Sequence, residues 1–247
     1  MWKRLLLVTA LVLSIAVTMA PASLMDRVLA RATDGRLRLM HTSGTVWHGS
    51  GVFVSLSPDG RSAQPWLSGT WASELDLTGA SIGWRLEEAG QTVLRVTLGP
   101  TGMSVTRAAL DAPLRALLDS LPSPIARAGW RGVLRIESNG VTCGWNQECH
   151  GTARLTWLDA GVDLLPQQRF GDYEIDAEAR GRLGSFEVNT LGGDIRIDGK
   201  GGWDAQGQPR FRGQVSGPEA IVGRLPNVMD GYAFPTADPK RVRIDFN

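Results

Sequence analysis

Cys143 and Cys149 are the only cysteines of the 247-residue chain, and His150 follows the second directly. Five residues, Gly144-Trp145-Asn146-Gln147-Glu148, separate them. Three chemistries are open to such a pair. In an oxidising compartment, two thiols flanking a short turn close a disulfide across a hairpin end. Alternatively they remain free structural thiols, or they bind a metal with His150. Structural zinc takes four ligands, and the local sequence offers three.

Other reactive residue types lack the company that catalysis needs. Ser50 stands between Gly49 and Gly51 beside His48, but the wider Gly-x-Ser-x-Gly pattern of a nucleophile turn is missing. A turn or bulge serine is the simpler reading. His41, His48 and His150 form no His-Glu-x-x-His arrangement. Gly192-Gly193 and Gly199, Gly201 and Gly202 precede neither a helix nor a Lys-Ser or Lys-Thr pair, which excludes a phosphate-binding P-loop. Asp172, Glu174, Asp176 and Glu178 alternate with Tyr173, Ile175 and Ala177, and Glu74 and Asp76 alternate likewise. That is the solvated face of a strand rather than an acid–base pair. The sequence therefore predicts a protein that is not an enzyme, with no catalytic residue, cofactor or metal site. With 26 basic and 25 acidic side chains the net charge is +1, and the signs are interspersed, so no basic face for nucleic acid is expected.

These residues must be positioned mainly by strands. Apolar and polar residues alternate through Gly51–Leu56, Thr70–Leu77, Ile82–Leu86, Leu94–Leu98, Gly132–Ser138, Thr152–Leu158, Tyr173–Ala179, Ser185–Thr190 and Asp194–Asp198. Gly, Pro, Asn and Asp cluster between the runs, as short hairpin connections require. Ala108–Ser120 carries Ala109, Leu110, Leu114, Leu117 and Leu118 at helical spacing before Leu121-Pro122. A second short helix is predicted over Glu219–Leu225. With few crossovers available, the expected fold is mainly β: an antiparallel sandwich or curved sheet with one or two short helices. Its halves would be 36–107 and 129–217, joined by a helix at 108–120.

The chain begins with Trp2, Lys3 and Arg4, then carries no charge from Leu5 to Met25. Those 21 residues, as one helix at about 1.5 Å each, would reach about 31 Å and span a hydrocarbon core of about 30 Å. The expectation is a cytoplasmic stub at 1–4, a single transmembrane anchor at 5–25, a juxtamembrane linker at 26–35 and an exported β-rich domain at 36–247, since long domains are translocated largely regardless of charge. A cleaved signal is the other reading, with Ala20-Pro21-Ala22 as a loose imitation of a cleavage site.

A glycine recurs just before a tryptophan: Gly44 with Trp47, Gly69 with Trp71, Gly83-Trp84, Gly129-Trp130, Gly144-Trp145 and Gly202-Trp203. Glycine supplies a turn or bulge and the indole covers a sheet face. Either these rings pack the core, or some line a partner surface, for which Trp71, Trp130 and Trp203 are the candidates.

Ser43-Gly44-Thr45-Val46-Trp47-His48-Gly49-Ser50-Gly51, Ile82-Gly83-Trp84-Arg85-Leu86, Gly129-Trp130-Arg131-Gly132, Gly151–Trp157 and Phe170-Gly171-Asp172-Tyr173 occur in an order that resembles the type II secretion system protein N family. The resemblance covers nearly the whole chain through structural positions, Gly44, Thr45, Trp47, Gly49, Trp84 and Gly171. Tyr232–Asn247 and the cysteine loop depart from it. It implies an accessory subunit of the inner-membrane platform of a machine that exports folded proteins from the periplasm. Such a subunit would be a single-pass inner-membrane protein with its C-terminal domain in the periplasm. Implied partners are other platform subunits and the outer-membrane secretin. A different class of function competes with this scaffold: a curved sheet whose apolar face carries lipid or a lipidated protein. Two packed sheets would favour the first and one open apolar trough the second.

Overall fold

The computed structural model describes residues 2–56, 63–115, 129–163, 168–229 and 231–246. The chain divides into two compact units, Met1–Arg95 and Val96–Asn247. The division falls within a strand and not at the helix expected over 108–120.

The first unit opens with helix α1 (Trp2–Thr18), all of whose residues are exposed, and α2 (Ser23–Ala32). The single span expected at 5–25 is therefore split. Thr18 turns its hydroxyl back to the carbonyls of Ser14 and Ile15. Pro21 has no N–H to continue the helix and disfavours helical geometry at Ala20; it forms an isolated antiparallel bridge with Thr45 instead. The 17 residues of α1 reach about 26 Å. Among the described residues no helix is long and apolar enough to cross a membrane. The linker expected at 26–35 is mostly α2, packed through Met25 and Leu29.

Behind the helices lie β1 (Leu37–Gly44), β2 (His48–Leu56), β3 (Ala63–Asp76) and β4 (Ser81–Glu88), paired antiparallel in that order. The period-two pattern aims Leu39, Leu67, Trp71 and Leu86 at one side, where they form a buried cluster with Ala22. Each aliphatic side chain so buried contributes about 1.5–3 kcal/mol. Strand β5 (Gln91–Gly99) follows Ala89 and Gly90, both at positive φ.

The second unit holds β6 (Gly102–Pro113), β7 (Trp130–Ser138), β8 (Val141–Gly144), β9 (Cys149–Val162), β10 (Arg169–Gly181), β11 (Leu183–Gly192), β12 (Arg196–Trp203), β13 (Pro209–Ser216), α3 (Glu219–Val222), α4 (Leu225–Val228), β14 (Ala233–Pro235) and β15 (Arg241–Phe246). Their sheet order is β6-β7-β9-β10-β11-β12-β13-β15-β14, with β8 between β6 and β9. Within each unit the strands make one antiparallel sheet; among the described residues no second sheet packs on it to form the sandwich, one of the two expected architectures.

Ala108–Pro113 corrects the sequence reading. These residues are the end of β6, in register with β7 from Ala108 opposite Ser138 to Pro113 opposite Val133. Ala108 and Ala112 are buried, and the long-range ladder overrides a modest helix propensity. Residues 116–120 of the expected helix lie outside the described residues. The helix expected at Glu219–Leu225 is two short helices, α3 and α4, which interrupt at Gly223-Arg224. Val222 of α3 is fully buried in a cluster with Ile195, Val215, Ala233, Val242 and Ile244.

Candidate functional site

In the first unit the family-like positions converge on one turn. Gly44 adopts φ +83°, a left-handed conformation that glycine takes without strain. Gly49 has no room for a side chain, since a Cβ there would stand 2.5 Å from the Ser43 carbonyl oxygen and from the Trp71 ring. Two indoles then grip the chain between β1 and β2, and a third, Trp47 within it, reaches back to α1. Trp71 Nε1 donates to the Thr45 carbonyl at 3.1 Å, Trp84 Nε1 to Val46 at 3.4 Å, and Trp47 Nε1 to Val17 at 2.8 Å. Trp47 and Trp84 stack with ring centres 6.4 Å apart. The backbone N–H of Val46 donates to Ala20, and that of Ala22 to Gly44. The turn thus holds the exit of α1 against the sheet. Next to it, Asp26 accepts two bonds from the Arg38 guanidinium, at 2.8 and 2.6 Å, and one from the Leu39 N–H. The Arg38 hydrogen bonds, more than any other cause, hold the Asp26 carboxyl below its ordinary pKa.

Ser50 lies within β2, opposite Ser43 of β1 and Thr70 of β3, and shares a hydroxyl hydrogen bond with Ser43 at 2.8 Å; it is a ladder residue, not the turn serine expected.

Trp71, one of the three candidate partner-facing residues, is 5% exposed in the core. It shares the inward face of β3 with Leu67, and its only polar atom is satisfied by Thr45. Trp130 and Trp203 are half-buried. Trp130 meets Trp157 edge-on at 5.4 Å, and the Trp203 indole lies so close over Gly184 that a Cβ there would overlap it. Gly171 and Tyr173 of the late motif are buried. The Tyr173 hydroxyl donates to Ile195 at 2.8 Å, and burial pushes its pKa well above the ordinary phenol value.

Cys143 and Cys149 face each other across β8 and β9 and are joined by a disulfide, Cα atoms 4.0 Å apart. The loop they close presents Trp145, which is 63% exposed while its N–H donates to the Gly99 carbonyl. The Arg182 guanidinium reaches the Asn146 carbonyl of the same loop. Outside α1, Trp145 is the most exposed indole among the described residues, and sequence reasoning did not single it out. The available signal was its place inside the cysteine loop, where no strand partner can cover it.

The two faces of the second unit's sheet differ. On one, Glu137, Arg154, Asp176, Glu187, Lys200, Arg212 and Asp245 are successive cross-strand partners. Arg154 pairs with Asp176 at 2.8 Å and Lys200 with Glu187 at 3.2 Å. Exposed pairs of this kind contribute about 0–1 kcal/mol each, but together they leave the face solvated and self-neutralised. A trough of about 850 Å³ runs along it, lined by Arg107, Glu137, Arg154, Asp176, Glu187 and Lys200 among others. On the opposite face Leu110, Ile136, Leu155, Ile175 and Val188 are successive partners. All five are only half-buried.

Among the described residues no group of His, Cys, Asp and Glu could hold a metal ion. Among the described residues the assembled features are a turn that ties the end of α1 to the sheet, a stapled loop with an exposed indole, and two chemically distinct sheet faces. The chain matches no curated protein and no solved structure. The family model for type II secretion system protein N matches residues 35–238, which takes in the indole-gripped turn, strands β1 to β14 and the Gly171-Asp172-Tyr173 motif, but not β15. The chain therefore belongs to the type II secretion system protein N family and is a component of that secretion system.

Proposed function

We propose that this component is a non-catalytic accessory subunit of the inner-membrane platform, anchored by α1 with both sheets in the periplasm. It works through contacts with other platform subunits and with the outer-membrane secretin. The observation that carries this reading is the mount of α1. An apolar helix exposed along its whole length is held at its C-terminal end by Trp47 and Val46, so the sheet of the first unit has a fixed relation to its anchor. A hydrophobic stretch a few Å short of the bilayer core is accommodated by local thinning.

Photoreactive residues at Trp145, Trp130 and Trp203, crosslinked in intact cells and analysed by mass spectrometry, test the reading. Adducts to platform or secretin subunits support it. Their absence at all three positions, together with failure to recover any secretion component in gentle detergent, overturns it.

A second reading has its own observation. The row Leu110, Ile136, Leu155, Ile175 and Val188 lies on a single sheet and is half-exposed, whereas a closed sandwich core would bury it. Such a face accommodates acyl chains. Lipid that co-purifies with the protein and is lost in a folded Ile175→Asp variant would favour this reading over the scaffold.

A further inference from the structure

Helix α2 is two-faced. Met25 and Leu29 pack on the core of the first unit, and Asp26 is occupied by Arg38 and the Leu39 N–H. Leu24, Arg27, Val28 and Arg31 follow the i, i+3, i+4, i+7 spacing and share the opposite face. All four are exposed, Val28 at 67%. That face contains no acid; Asp26, the one carboxylate of α2, points into the ion pair. The next acidic side chain, Asp34, lies beyond the helix end.

Two arginines flanking two exposed aliphatic side chains are what an interfacial helix presents to lipid. The apolar pair enters the acyl boundary, while the guanidinium groups reach phosphate oxygens with their stems laid along apolar surface. The depth is set as well. Only Met19–Ala22 separates α1 from α2, and both ends of that segment are tied to the same turn, Ala20 by Val46 and Ala22 by Gly44. A membrane that holds α1 therefore meets α2 within a few residues of the exit point.

We infer that the Leu24, Arg27, Val28 and Arg31 face of α2 is a second membrane contact, docked on a bilayer surface rich in anionic phospholipid. It rests on the anchoring of α1 proposed above and adds that the first unit lies against the bilayer. Arg27 and Arg31 form no ion pair among the described residues, although the Arg27 charge also acts on Asp26, and their exposed guanidinium groups commit the occupant to anionic lipid: each favours an anionic over a zwitterionic surface by about fivefold.

The test uses the full chain reconstituted into vesicles of phosphatidylglycerol and phosphatidylethanolamine, or of phosphatidylcholine alone. An environment-sensitive fluorophore is placed at Val28→Cys, at Leu11→Cys in α1, and at Gln206→Cys in a turn of the second unit. Blue-shifted emission at position 28, quenched by spin-labelled lipid in the anionic vesicles, is expected. Quenching should weaken severalfold in phosphatidylcholine, at high salt, or on Arg27→Glu with Arg31→Glu, and position 206 should stay unquenched. Quenching at 11 without quenching at 28 overturns the α2 contact and leaves the anchor standing. Quenching at 28 that ignores charge reversal and lipid type overturns the role of the arginines. Quenching at 28 without quenching at 11 keeps the contact and removes the anchor. If position 28 shifts only when a secretion protein is added, a protein occupies the face and the lipid assignment fails.

Discussion

Trp47 donates its indole N–H to the carbonyl of Val17 at 2.8 Å, across thirty positions of sequence. The last carbonyls of an α-helix have no intrahelical partner, and here a side chain from the turn after β1 supplies one. Trp84 stacks behind that ring and donates to Val46, next to Trp47 in sequence. Helix end, turn and sheet are thereby joined through two indoles.

Trp47→Phe keeps an aromatic ring and removes the donor. It should lower unfolding stability by about 1 kcal/mol, and Trp47→Ala by a further 1–2 kcal/mol through loss of the stacked surface. Both should speed limited proteolysis between Met19 and Ser23. Equal proteolysis rates for Trp47→Phe and the parent protein would show that the bond does not restrain the helix exit.

Gly49→Ala probes crowding. The new methyl would overlap the Ser43 carbonyl and the Trp71 ring, neither of which can move without disturbing β1 or the core. A loss of about 1–3 kcal/mol is expected in chemical denaturation. At Gly44 conformational strain and crowding combine: at φ +83° a Cβ would also run into the His48 carbonyl and the Gly49 backbone, so Gly44→Ala should lose more than the about 1–2 kcal/mol of left-handed strain alone, and Gly44→Asn, which relieves the strain but not the clash, should still be destabilised.

The sheet was legible because alternation of polar and apolar residues follows directly from strand geometry, as in Asp172–Ala179. Ala108–Pro113 was misread because Ala and Leu favour helix locally, and only the partner β7, some twenty residues away, reveals the strand. The apolar run at Leu5–Met25 was legible as apolar but not as two helices, since the break at Pro21 is enforced by a bridge to Thr45 that sequence spacing does not show. The tryptophans were the least legible. Trp71, Trp130, Trp145 and Trp203 share a glycine nearby in sequence, yet their exposure depends on strand parity and on what lies across the sheet.

Tyr173→Phe removes the hydroxyl that satisfies the Ile195 carbonyl in a buried site. An orphaned buried acceptor costs about 1–3 kcal/mol. The loss should appear in equilibrium unfolding without a change in secondary structure. A neutral result would indicate that the Ile195 carbonyl finds another donor.

Asp26 couples stability to acid. Its native pKa lies below the ordinary 3.8, so the carboxylate contributes in full above that value. The contribution is lost as the pH falls from there through the depressed native value. Asp26→Asn should therefore be less stable than the parent by about 2 kcal/mol at neutral pH. The difference should be flat from pH 5 to 8 and close only in acid. A difference that grew with pH across that range would contradict the Arg38 pairing.

The disulfide gives the last prediction. Because it closes a loop with a sequence separation of only 6, chain-entropy reasoning assigns it about 2 kcal/mol. A double Cys143→Ser, Cys149→Ser variant should therefore lower the unfolding midpoint modestly and stay folded, since β8 and β9 keep their register through Val141 opposite Gly151 and Thr142 opposite His150. The larger effect should be local. Trp145 is held by its N–H bond to Gly99, its backbone bond to Thr101 and the Arg182 contact to Asn146, each of which an unstapled loop can release. Faster hydrogen exchange confined to 144–148, together with weaker crosslinking from position 145, would mean that the bond serves to present the indole. A uniform loss of protection across β6, β8 and β9 would mean instead that it holds the sheet.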